Sequence, residues 1–110
     1  MRPIHRAASL IGVALIAGAL AAPAAAESGN PARGRALAER HCAKCHAVAR
    51  GRTGPEPGVP SFARIAADNE QTAASLRQFI MLPHYEMDPQ TLTTAEIDDV
   101  IAYILALRTN

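Results

Sequence analysis

Two cysteines and a histidine stand together in the pentapeptide CAKCH at residues 42–46, the strongest chemical signal in the sequence. The thiols of Cys42 and Cys45 are spaced to add across the two vinyl groups on one edge of a haem. The next residue, His46, then turns its imidazole toward the iron. This CxxCH spacing is typical of c-type haem attachment. The pentapeptide therefore predicts one covalently attached haem c, with His46 as an axial ligand.

Three other uses of these residues must be weighed against haem. A thioredoxin-like dithiol would use both cysteines, but it requires a βαβ context, and no alternating strand pattern is visible. A disulfide across so short a loop contributes little stability and leaves His46 unexplained. A zinc site needs four ligands, whereas only three candidates cluster here. Haem attachment is favoured over all three.

The second axial ligand is expected from the irregular stretch before the last predicted helix. Met87 is the favoured residue, because a lone apolar side chain among polar neighbours has little reason to serve as core. A thioether ligand on the iron also raises the reduction potential. Met81 and His84 are the alternatives, although Met81 adjoins apolar residues on a helix and is expected in the core. An open sixth site is the remaining possibility.

The imidazole of a metal-bound histidine usually donates its other ring N–H to an acceptor. In the loop that follows the pentapeptide, the carbonyl of Pro55 is predicted to accept from His46. Pro57 and Pro60 are alternatives for the same role.

The elements that must position these residues are all helical. The first helix is predicted over 31–41, after the N-cap residue Asn30. A loop rich in Gly and Pro follows at 48–60, with a short helical turn over 62–67. A second main helix is expected over 72–82, and a third begins at the capping box TTAE and continues with a helical apolar period. The predicted fold class is all-α, with three main helices around one haem.

The N-terminus predicts a secretory signal peptide over 1–26. It has a basic start, an apolar run over 7–22 and three alanines at 24–26 that suit cleavage. The mature domain would then be 27–110, in the periplasm. The alternative is a retained membrane anchor, although the apolar run is short for a bilayer span.

Charge argues against nucleic acid as a partner, because the formal net charge is +1 and no long basic run occurs. Residues 27–64 hold seven basic and three acidic residues, whereas 65–110 hold two and seven. The basic part carries the pentapeptide, so docking onto an acidic patch of a redox protein is expected, with Arg50 and Arg52 as test positions.

Several segments together resemble class I (mitochondrial-type) cytochrome c in a short bacterial form. They are GRAL at 34–37, CAKCH, TGP at 53–55, Met87 with the LT that follows it at 92–93, and the run from Glu96 to Ile104. The resemblance implies that the first and last helices cross closely at Gly34, with Val100 and Tyr103 packing from the last helix. It also implies Met87 as the axial ligand and Pro55 as the acceptor for His46.

The sequence departs from that family at several positions. Asp88 separates Met87 from Pro89, and Ala38 stands where an aromatic residue is common. No Trp is present to contact a haem propionate, so the candidates for that role are Arg52, Arg64 and Tyr85.

The expected function is single-electron transfer between redox proteins, including membrane-bound complexes, without catalysis and without a small-molecule substrate. The main alternative is a haem c subunit dedicated to a periplasmic dehydrogenase or oxidase. A haem enzyme with an open sixth site and a haem-free thiol redox protein are two further classes.

Overall fold

The computed structural model describes residues 17–20, 29–82 and 91–108. It contains four helices, which are α1 (Pro31–His41), α2 (Phe62–Ala67), α3 (Ala73–Met81) and α4 (Thr94–Ala106). The described ranges contain no strand. The all-α prediction is confirmed, and the helix bounds lie within about one residue of those expected from the sequence.

Local capping determines where the helices begin. The side chain of Asn30 accepts from the backbone N–H of Arg33 at 2.9 Å, and a proline occupies the first turn of α1. In α4, the N–H of Thr93 donates to the Glu96 carboxylate at 2.8 Å, and Thr93 Oγ1 accepts from the N–H of Glu96 at 3.3 Å. The backbone N–H and the hydroxyl of Thr93 both donate to the Glu96 carboxylate and so lower its pKa, because they favour its charged form.

The central contact of the molecule is between α1 and α4. A Cβ added to Gly34 would lie 1.9 Å from the backbone carbonyl oxygen of Asp99 and 2.9 Å from the Cβ of Tyr103. No side chain larger than hydrogen fits there, so Gly34 permits the close approach that was expected. Ala38, one turn further along α1, is fully buried despite its small side chain.

A charge clamp holds the same contact at the N-terminal end of α1. The carboxylate of Asp99 is 5% exposed and accepts from Arg33 Nε at 2.9 Å and from the backbone N–H of Asn30 at 2.6 Å. The Arg33 guanidinium lowers the pKa of Asp99. Asp99 was not recognised from the sequence as a residue that joins the two helices.

The core continues from this contact over α2 and α3. The guanidinium of Arg108, after α4, donates to the carbonyls of Ala66, Asp68 and Gln71 and so fixes the turn between α2 and α3. The larger apolar side chains that are buried are Leu37, Val48, Phe62, Leu76, Ile97, Val100, Ile101, Tyr103 and Ile104.

The predicted signal peptide over 1–26 lies outside the described residues except at 17–20. Within the described ranges, no helix has the length and apolar character needed to cross a membrane.

Candidate functional site

The pentapeptide forms a tight turn at the C-terminal end of α1. The N–H of Cys42 donates to the carbonyl of Ala38 at 2.8 Å and so ends the helix. The carbonyl of Cys42 then accepts from the N–H groups of Cys45 at 3.2 Å and His46 at 2.9 Å. Both cysteines and the histidine are therefore held on one short turn, as joint attachment to one cofactor requires.

The two thiols are half-buried and are not joined in a disulfide. Burial raises the pKa of Cys42 to about 11, so its sulfur is a protonated thiol at neutral pH. A redox-active dithiol instead needs a lowered pKa. The environment of Cys42 therefore counts against the thioredoxin-like alternative.

A zinc centre also finds no support in the described part of the chain. There, no group of three or more His, Cys, Asp or Glu side chains is arranged to hold a metal ion.

The imidazole of His46 is fixed by a carbonyl group. Its Nδ1 lies 2.7 Å from the carbonyl oxygen of Pro60. Because a carbonyl can only accept, Nδ1 carries the proton and donates, which leaves the lone pair of Nε2 free for a metal. Two unpaired thiols at CxxCH spacing can add to the vinyl groups of a haem, and an imidazole in this state can bind its iron, so this turn fits haem c.

The structure corrects the predicted acceptor, which was Pro55. The carbonyl oxygen of Pro60, and not that of Pro55, lies within hydrogen-bond distance of Nδ1 of His46. The reason is a loop closure, in which the N–H of Phe62 donates to the carbonyl of Ala47 at 2.9 Å and draws Pro60 toward His46. Pro60 was one of the alternatives that the sequence left open.

The loop after the pentapeptide packs against the backbone of that turn. A Cβ at Gly54 would lie 2.8 Å from the backbone nitrogen of Ala47, so this position needs glycine for close approach. Gly58 has a φ of 81°, a left-handed conformation that glycine adopts without strain. These glycines let the loop fold back far enough for Pro60 to reach His46.

Aromatic support for His46 was not recognised from the sequence. The ring of Phe62 lies with its centroid 5.4 Å from that of His46, tilted by 54°, and 6.3 Å from the ring of Tyr103. The available signal was the scarcity of aromatic residues, since the sequence has only two Phe and two Tyr.

The favoured sixth ligand, Met87, lies outside the described residues, as do His84 and Tyr85. Met81 is described, and its side chain is 55% exposed at the end of α3, so the prediction that it belongs to the core was wrong. Its neighbours Phe79 and Leu82 are also largely exposed. The end of α3 therefore presents apolar surface just before the segment that contains Met87.

Arg52 and Arg64, two of the candidates for contact with a haem propionate, both have exposed side chains. Their role toward the haem stays a prediction.

Comparisons with known proteins identify the family of this chain. Residues 29–104 match the family described as cytochrome c oxidase, cbb3-type, subunit III. The chain is also 34% identical over 99 residues to cytochrome c-552 of Bradyrhizobium diazoefficiens, covering 90% of this chain and 95% of that relative. No solved structure matches.

The chain belongs to this cytochrome c family, as a small class I-type member. It is a monohaem electron carrier, and its haem c is covalently bound, with Cys42 and Cys45 fitting the CxxCH pattern. The predictions of family, fold, cofactor and electron transfer are confirmed.

Proposed function

We propose that this chain is an exported periplasmic carrier that passes single electrons between redox proteins and catalyses no reaction of its own. The observation that carries the proposal is the state of His46, whose Nδ1 donates to Pro60 while Nε2 keeps its lone pair. The mature protein in this proposal is the domain 27–110, released from the signal peptide after Ala26.

Each residue of the site has a separate task. Cys42 and Cys45 form the thioether links, and His46 binds the iron through Nε2. The Pro60 carbonyl, by accepting from Nδ1, makes the imidazole a more electron-rich ligand. Met87 completes the coordination and excludes other ligands. When bound, the haem supplies an iron that gains and loses one electron.

Three matched substitutions test the sixth ligand. Met87→Ala is expected to remove the weak charge-transfer band of sulfur on ferric iron and to let carbon monoxide bind the reduced protein. Met81→Ala and His84→Ala serve as controls and are expected to leave both properties unchanged. Loss of the band in Met81→Ala alone would transfer the role to Met81. Rapid carbon monoxide binding by the unaltered protein would contradict the carrier proposal and favour a haem enzyme.

The proposed docking surface is the exposed basic area around the pentapeptide. Lys44 and Arg52 are exposed there, whereas the guanidinium of Arg50 is engaged by the carbonyl of Leu107. Arg50 therefore also holds the fold together, and reversing its charge would not test docking cleanly. Lys44 and Arg52 are the better test positions.

Small inorganic complexes of opposite charge can probe this surface. With Lys44→Glu and Arg52→Glu combined, oxidation by anionic ferricyanide is expected to slow and reduction by cationic hexaammineruthenium to accelerate, with smaller differences at high salt. Arg35→Glu, at an exposed position on α1, is the control with the same kind of charge change. Equal rates in all variants would contradict a basic docking surface.

A second candidate function is favoured by the family match. A family described as an oxidase subunit supports a haem c subunit that serves a terminal oxidase complex. Co-purification of this chain with a larger catalytic subunit from its own membranes would favour that function. Recovery of the chain only as a separate protein from the periplasmic fraction would favour the free carrier.

A further inference from the structure

We propose that Tyr103 is a positioning residue for His46, because its hydroxyl fastens the chain segment that directly follows the histidine to α4. This inference rests on the proposed function, in which His46 binds the iron. It adds that the last helix of the fold helps to set the reduction potential.

The first observation is a buried hydrogen bond. The hydroxyl of Tyr103 donates to the backbone carbonyl of Val48 at 2.6 Å, and both residues are buried. Val48 lies two residues after His46, so this bond ties the backbone beside the ligand to the middle of α4. A buried carbonyl needs such a partner, and the bond is therefore expected to persist in the folded protein.

The second observation is that the same segment is held at two more points. The carbonyl of Ala47 accepts from the N–H of Phe62 at 2.9 Å. The guanidinium of Arg50 donates to the carbonyl of Leu107, at the C-terminal end of α4. Three of the four residues after His46 are thus fastened, two of them to α4 and its C-cap. We call residues 47–50 the mount.

The third observation links the aromatic rings. Phe62 stands between the imidazole and Tyr103, with ring centroids 5.4 Å from the first and 6.3 Å from the second. Side-chain packing and backbone hydrogen bonds therefore connect His46 to the same residue of α4.

The physical consequence concerns the bond between His46 and Pro60. That bond needs the imidazole to keep its place relative to the Pro60 carbonyl, and the mount fixes the backbone from which the imidazole projects. A looser mount weakens the donation from Nδ1 and leaves the imidazole less electron-rich. A less electron-rich ligand stabilises the oxidised iron less, so reduction becomes more favourable.

Tyr103→Phe tests this directly, since it keeps the ring and removes only the hydroxyl. In the haem-loaded protein, the equilibrium constant for reduction is expected to rise about threefold, a modest effect for one hydrogen bond. Arg50→Lys keeps the positive charge but removes the guanidinium that donates to the Leu107 carbonyl, and it is expected to act in the same direction with about half that effect. The paramagnetically shifted β-proton signals of His46 should move in both variants.

Asp99→Asn is the matched control, because it weakens the contact between α1 and α4 without touching the mount. It is expected to lower stability while leaving the reduction potential and the His46 signals unchanged. The inference is overturned if Tyr103→Phe and Arg50→Lys behave like this control. If Tyr103→Phe does not fold, Arg50→Lys alone decides, because the side chain of Arg50 is exposed and its substitution keeps the charge.

A separate experiment distinguishes failure of this inference from failure of the proposed function. His46→Gly should lose the low-spin spectrum of the wild type, and added imidazole should restore it. If His46→Gly keeps that spectrum, His46 is not the ligand and the proposed function fails. If imidazole rescue succeeds but the mount variants leave the potential unchanged, only the role of Tyr103 fails.

Discussion

The polypeptide itself completes the contact between α1 and α4, whereas at the end of α3 it leaves apolar side chains exposed. At the helix contact, Gly34 meets the backbone of α4 directly and the buried carboxylate of Asp99 has its partners. At the end of α3, Phe79, Met81 and Leu82 are each more than half exposed. A domain this small often relies on a cofactor for part of its core. We therefore expect the helix contact to be a protein-only frame and the end of α3 to gain its cover from the haem.

Gly34→Ala should have the largest effect, because it breaks the frame. The added methyl would overlap the backbone carbonyl of Asp99, so the two helices must separate. We expect a loss of about 3 kcal/mol in the free energy of unfolding, measured by guanidinium titration of the haem-loaded protein. Ala36→Ser, at an exposed position on the same helix, is the control and should cost less than about 0.5 kcal/mol. Equal stability of the two variants would show that the close contact is not essential.

Asp99→Asn should have the next largest effect, about 2 kcal/mol at neutral pH, because the charge-assisted bonds to Arg33 and Asn30 are lost. The folded protein lowers the pKa of Asp99 relative to the unfolded chain. Its contribution is therefore complete above the unfolded pKa and is lost as pH falls through the lower folded value.

The difference between wild type and Asp99→Asn should accordingly be constant near neutrality and shrink below about pH 4. Unfolding titrations at a series of pH values check this. Glu70→Gln, at an exposed position, is the control and should show almost no difference. If the difference in the free energy of unfolding between wild type and Asp99→Asn increased in acid, the result would contradict the clamp.

Leu82→Ser should have the smallest effect and tests whether the haem covers the end of α3. The side chain is 64% exposed against the polypeptide alone. If the haem covers it, the haem-loaded protein should lose about 1 kcal/mol of stability on substitution, because apolar area returns to water. Ala74→Ser, at an exposed position on α3, is the control. Equal stabilities of Leu82→Ser and the wild type would mean that the end of α3 stays exposed to solvent.

The sequence was most informative where structure depends on neighbouring residues. The caps at Asn30 and Thr93 and the CAKCH turn act over a few residues, so helix bounds and haem attachment could be predicted. The partner of His46 could not, because the choice between Pro55 and Pro60 depends on the bond between Phe62 and Ala47 that closes the loop.

Two further misreadings have the same physical origin. Asp99 suits a helix N-terminus by its charge, and only the packing of α1 against α4 reveals that it is a buried clamp. Met81 follows apolar residues and so resembles core, but it lies in the last turn of α3 on an exposed face. Both depend on contacts between segments far apart in the chain, which periodicity does not report.

Covalent haem attachment is tested by the intact mass of the protein isolated from its native host and measured under denaturing conditions. We expect one species with the mass of residues 27–110 plus one haem, and no free thiol at Cys42 or Cys45. A stably folded, exported chain without the mass of a haem, or with both thiols still reactive, would contradict it.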